Sequence, residues 1–161
     1  MSMDYNFQDE TNDNTKDENK EKIIEDTERL DLSYIPEQIN HRDEQIREIA
    51  KDSFAPVANG RKGSDLLIVG PPGTGKTATV KHVKQKTEEN NDRSKYEILY
   101  VNCSTNSSGK GLFTALCNSI GIEYKEGVEL SHNINRFKNK IKENSDKSFL
   151  IVLDEIQELR N

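Results

Sequence analysis

Two short stretches of this 161-residue chain carry side chains whose type and spacing could do chemistry. The first is Gly70-Pro71-Pro72-Gly73-Thr74-Gly75-Lys76-Thr77, followed by Ala78. It satisfies the pattern G-x-x-x-x-G-K-[ST] at every constrained position. Gly70, Gly73 and Gly75 allow backbone angles that a Cβ would block, so successive N–H groups can converge on phosphate oxygens. A helix starting at the end of the loop adds its positive N-terminal end. Lys76 would set an ammonium against the β- and γ-phosphates, and the Thr77 hydroxyl would ligate magnesium. The ligand this chemistry fits is ATP or ADP with Mg2+.

The second stretch is the acidic pair Asp154-Glu155, directly after the apolar run 149–153. A carboxylate at the carboxyl end of a buried parallel strand faces the crevice where such sheets bind ligands. Asp154 is expected to hold magnesium through water, beside Thr77. Glu155 is expected to orient or deprotonate an attacking water. An acid pair after a strand can also be a helix cap or a solvated turn, and it is the upstream phosphate loop that favours the metal site. The expected catalytic residues are therefore Glu155 and Lys76, and the expected metal ligands are Thr77 and Asp154.

These residues need a scaffold. Residues 65–69 (Asp-Leu-Leu-Ile-Val) are a nearly continuous apolar run, predicting a strand buried on both faces ahead of the loop. A helix is predicted over 75–89, a second strand over 97–102, and a third over 148–153. Between the last two, Leu112, Phe113, Leu116 and Ile120 mark one amphipathic helix, and Leu130, Ile134, Phe137 and Ile141 a second. Upstream, Ile46, Ile49, Ala50, Phe54 and Val57 share one face of a helix from about Asp43, whose first-turn acids suit its positive end. Strands alternating with helices predict an α/β fold, a parallel sheet flanked by helices.

Residues 1–30 hold ten acids and four bases, which accounts for the whole net charge of −6. The remainder balances at 19 acids and 19 bases, so its charge does not announce nucleic acid. Residues 1–29 are too polar to offset their ordering entropy and are expected to be a disordered acidic tail. No apolar run approaches the ~20 residues of a membrane span, and no signal peptide is visible, which points to a cytoplasmic protein without a membrane role. Cys103 and Cys117 read as buried, reduced thiols, and the scattered His41, His82 and His132 predict no zinc.

With both motifs in place, the sequence resembles the AAA+ ATPases. Gly-Pro-Pro-Gly-Thr-Gly-Lys-Thr is their usual Walker A loop and Leu-Asp-Glu their Walker B ending. It is similar in more detail to archaeal Orc/Cdc-type replication initiators, through Tyr34-Ile-Pro-Glu, His41-Arg42-Asp-Glu-Gln-Ile, Tyr100-Val-Asn-Cys and Leu153-Asp-Glu-Ile. The resemblance covers residues 32–160. It implies that 30–161 is the N-terminal portion of an AAA+ ATP-binding domain, incomplete after the Walker B strand. It implies adenine contacts from Pro36 and Arg42, and an extra helix between the second and third strands that helps engage origin DNA. In this chain Arg136, Lys138, Lys140 and Lys142 read first as a solvated helix face, with contacts to DNA phosphates as the alternative that the resemblance opens. The implied strand order, 5-1-4-3-2, separates the Walker A and Walker B strands by a fourth strand expected after Asn161. Origin DNA is then a partner only together with C-terminal regions, and another AAA+ protomer or a C-terminal polypeptide completes the assembly. The activity implied is ATP binding, and hydrolysis when complete, in origin recognition or helicase loading. Two alternatives stay open: a remodelling ATPase of a mobile element, and a non-catalytic truncated regulator or remnant.

Overall fold

The computed structural model describes residues 35–36 and 39–159. The acidic tail of residues 1–29, Tyr34 and Arg160 lie outside the described residues.

Among the described residues the first helix is α1, Asp43–Ile49, whose first turn carries Asp43 and Glu44. The apolar spacing predicts one continuous helix, but Ala50–Phe54 widens into a π-helical turn before α2, Ala55–Ala58. Pro56 stands within α2 and has no N–H to donate to the Asp52 carbonyl. The Ser64 N–H fills that role from outside the helix, 2.7 Å away. The Ser53 hydroxyl answers by donating to the Ser64 carbonyl at 2.8 Å. Gly63 lets the two backbones meet, since a Cβ there would stand 2.6 Å from the Ser53 carbonyl oxygen. The chain entering the phosphate loop is thereby fastened to the first helical layer.

Helix α3, Lys76–Asn90, follows the loop, with Thr79, His82, Val83 and Thr87 buried. Its two buried threonines are satisfied within the helix, Thr79 by the Gly75 carbonyl and Thr87 by the Val83 carbonyl. Strand β1, Tyr96–Asn102, then leads through α4, Gly109–Ser119, and α5, Leu130–Glu143, to strand β2, Ser148–Asp154. The Ser108 side chain caps α4 by accepting from the Gly111 N–H at 3.0 Å. Fully buried Asn133 closes the α4–α5 connection, bonding both the N–H and the carbonyl of Lys125. The two helices expected between the strands are present. Arg136 on α5 donates to the Glu123 carbonyl at 2.7 Å, and Lys140 pairs with Glu143.

β1 and β2 pair in parallel, Tyr96 opposite Ser148 through Asn102 opposite Asp154. One face of this pair, through Ile98, Leu150 and Val152, packs on Ile49, Phe54 and Val83 of the helical layer. Leu99 and Val101 point the other way and are buried, and α4 packs against β1. Cys103 and Cys117 are buried free thiols, as the sequence suggested. The architecture is α/β, a parallel sheet flanked by helices.

One expectation is corrected. Residues 65–69 form no strand. A strand exists by pairing, and among the described residues β2 has a ladder partner only in β1. Among the described residues the segment has no ladder partner, and Leu67 and Val69 stand 75% and 79% exposed. In the implied 5-1-4-3-2 order, β1 and β2 of this structure are the second and third strands, and they are neighbours here as that order has them.

Candidate functional site

The glycines of the loop 70–77 do local work. Gly73 and Gly75 take left-handed angles, φ 76° and 80°, and Gly75 is the residue from which α3 starts. Thr74 steadies the turn by donating to the Pro71 carbonyl at 2.9 Å. The Lys76 ammonium folds over the loop and donates to the carbonyls of Gly70 and Pro71 at 2.8 and 2.9 Å. Pro72 is exposed at the tip, and Ala78 lies half-buried in the first turn of α3. A left-handed turn, a helix N-terminus and an ammonium at one place make a concavity suited to an anion.

The strand end meets this loop. Thr77 Oγ1 donates to Asp154 Oδ1 at 3.1 Å, across 77 residues of chain. The Glu155 N–H donates to the same oxygen at 3.0 Å. The Tyr100 hydroxyl donates to Asp154 Oδ2 at 2.5 Å, and the Cys103 N–H holds the Asp154 carbonyl at 2.8 Å. Burial first, then the bond to Asp154, push the Tyr100 phenol well above its ordinary pKa, so it stays a proton donor. Burial, followed by the charges of Asp154 and Glu155, raises the Cys103 thiol as well, leaving it protonated. Glu155 is exposed and has φ 53°, a left-handed angle uncommon outside glycine and frequent at functional turns.

Among the described residues no three His, Cys, Asp or Glu side chains gather as metal ligands. Thr77 and Asp154 are a different kind of site, one hydroxyl and one carboxylate, both hard oxygen donors. Mg2+ favours few protein ligands of this type, with water and phosphate filling its other positions, so the pair fits that ion.

A cavity of about 310 Å³ adjoins the loop, walled by Arg42, Gln45 and Ile49 on one side and Ile68 and Val69 on another. Arg42 immediately precedes α1, and its guanidinium donates to the Thr74 carbonyl, tying that helix to the phosphate loop. His41 ahead of it takes φ 61°. Of the two expected adenine contacts, Arg42 lines the cavity and Pro36 does not. The Pro36 carbonyl instead lies 3.0 Å from His82 Nδ1 on α3. Residues 37–38, between them, lie outside the described residues. Gln45, Thr79 and Tyr100 join the surroundings of the site, although the sequence analysis assigns none of them a role there.

A family model described as AAA domain matches residues 61–161. The chain belongs to this family. Among curated proteins, the chain is 34% identical over 148 residues to an ORC1-type DNA replication protein of Cenarchaeum symbiosum, covering 88% of this chain and 36% of that protein. It is 33% identical over 144 residues to ORC1-type DNA replication protein 1 of Methanothermobacter thermautotrophicus, covering 85% and 37%. The chain thus spans little more than a third of the length of these relatives. Among solved structures it is similar to the Aeropyrum pernix Orc1 protein in complex with DNA, with TM-score 0.71 and 27% identity, covering 80% of this chain and 34% of that one. The fold is also shared with Cdc6p from Pyrobaculum aerophilum, TM-score 0.69 at 19% identity over 84% of this chain and 35% of that one. Among the described residues no helix is long and apolar enough to cross a membrane.

Proposed function

We propose that the chain binds ATP or ADP with magnesium through residues 70–77, as part of a cytoplasmic AAA+ protein of the DNA replication initiation type acting in origin recognition or helicase loading. The observation that carries the nucleotide reading is the Thr77–Asp154 hydrogen bond, which sets the hydroxyl of the loop beside the carboxylate of the strand end. The initiator reading is supported by the names of the similar proteins and by the paired helices α4 and α5 between the strands.

The backbone N–H groups from Gly73 onward bind phosphate oxygens, and the Lys76 ammonium exchanges two loop carbonyls for phosphate. Thr77 and Asp154 would hold magnesium, which when bound would supply neutralisation of phosphate charge. Arg42 fixes the loop against α1, and the base enters the neighbouring cavity. Glu155 takes the proton of the attacking water or orients it. Full turnover calls for an arginine from another AAA+ protomer, an interaction worth about 10³–10⁵ in rate in comparable NTPases. Origin DNA is bound by the assembled protein.

Lys76→Ala tests the nucleotide reading. It deletes a charge-assisted contact of roughly 1.5–3 kcal/mol, about 10- to 150-fold in affinity. Titration of both proteins with a fluorescent ATP analogue should show that loss. Equal affinities, or no binding by the unaltered chain, would overturn the proposal.

A further inference from the structure

Asp154 has two carboxylate oxygens, and the fold treats them differently. Oδ1 receives the Thr77 hydroxyl at 3.1 Å and the Glu155 N–H at 3.0 Å. Oδ2 receives the Tyr100 hydroxyl at 2.5 Å. The placement of Tyr100 follows from strand register. Tyr100 lies opposite Val152, and Asn102 lies opposite Asp154, so Tyr100 is the diagonal neighbour of Asp154. Side chains two apart on a strand share a face, and a diagonal neighbour is within reach of an aromatic ring. That face, continued by Ile98, Leu150 and Val152, packs against α1 and α3. Thr77 belongs to the first turn of α3, so Asp154 is held between a strand residue and a helix residue.

We propose that Tyr100 is a positioning residue, whose hydroxyl occupies Asp154 Oδ2 and so keeps Oδ1 turned toward Thr77 as the oxygen that meets the cation. This rests on the magnesium–nucleotide reading above. A carboxylate can rotate and offer either oxygen, and a donor fixed on one of them removes that freedom. Lys81 on α3 sets its ammonium 5.9 Å from the centroid of the same ring, a cation–π contact on the helix side. Hydrogen bonds of this kind to a metal-binding group typically change metal affinity about 10- to 100-fold when removed.

The test separates positioning from general support of the fold. ADP affinity is measured on the full chain with saturating magnesium and again in EDTA, and the ratio of the two is the gain due to magnesium. Tyr100→Phe should lower that gain about tenfold or more and leave affinity in EDTA unchanged. Incorporating 4-aminophenylalanine at position 100, which keeps a donor at the same place, should restore most of the gain. If the phenylalanine variant fails to melt cooperatively, 4-fluorophenylalanine fills the same space without a donor and takes its place. An unchanged gain would overturn the proposal, as would an equal loss with and without magnesium. Absence of ADP binding by the unaltered chain in both conditions would overturn the nucleotide site itself, and Tyr100's role with it.

Discussion

Leu67→Ala and Val69→Ala should be almost silent for stability, although both residues sit in the most apolar run before the phosphate loop. Fully burying a Leu or Val side chain contributes about 1.5–3 kcal/mol. With Leu67 75% and Val69 79% exposed, only a quarter or less of each side chain is withdrawn from water. Scaling the burial value by that fraction gives a loss of roughly 0.3–0.8 kcal/mol for each substitution. Leu99→Ala supplies the contrast: Leu99 is 1% exposed in the middle of β1, and emptying such a site costs about 2–5 kcal/mol. The assay is urea unfolding of the three variants beside the unaltered chain. At a slope of about 1–3 kcal/mol per molar urea, the exposed pair should shift the midpoint by a few tenths molar and Leu99→Ala should shift it severalfold further. A loss above about 2 kcal/mol for Leu67→Ala would mean that residues 65–69 are packed on both faces, and would refute the unpaired segment.

Glu155→Gln should leave ATP affinity unchanged and remove whatever turnover the chain supports, read by phosphate release under multiple-turnover conditions; persistent turnover would take Glu155 out of the chemistry. Gly63→Ala should destabilise the chain by about 1–3 kcal/mol, the usual cost of forcing extra atoms into a closed contact, because the new Cβ would meet the Ser53 carbonyl at 2.6 Å. A thermal melt unchanged by that substitution would show that the 63–64 fastening to α1–α2 does not hold.

The loop 70–77 was legible because its chemistry is local: glycine angles, a helix start and a lysine, all within eight residues of sequence. The strands β1 and β2 were legible because their β-branched and aromatic runs also found partners. Residues 65–69 carry the same apolar pattern and do not form a strand, since pairing depends on a neighbour that a local pattern does not specify. The π-helical turn at Ala50–Phe54 is not legible in the sequence because the apolar spacing runs smoothly through it, and only the missing N–H of Pro56 marks a break. Arg42 was placed near the base by resemblance, while its bond to the Thr74 carbonyl depends on how α1 packs. Tyr100 was quoted as part of a motif, yet its contact with Asp154 could be found only from the parallel register of two strands about fifty residues apart. The expected adenine contact of Pro36 rests on resemblance alone, and what the structure adds is its carbonyl 3.0 Å from His82 Nδ1.

The central claim concerns where a nucleotide's phosphates sit, and a crystal structure of the chain grown with ADP and magnesium tests it most directly. The account predicts the diphosphate within the loop 70–77, with Lys76 Nζ moved from the Gly70 and Pro71 carbonyls onto a phosphate oxygen and the cation beside Thr77 and Asp154. A nucleotide bound elsewhere, or Lys76 still donating to those two carbonyls with ADP present, would contradict it.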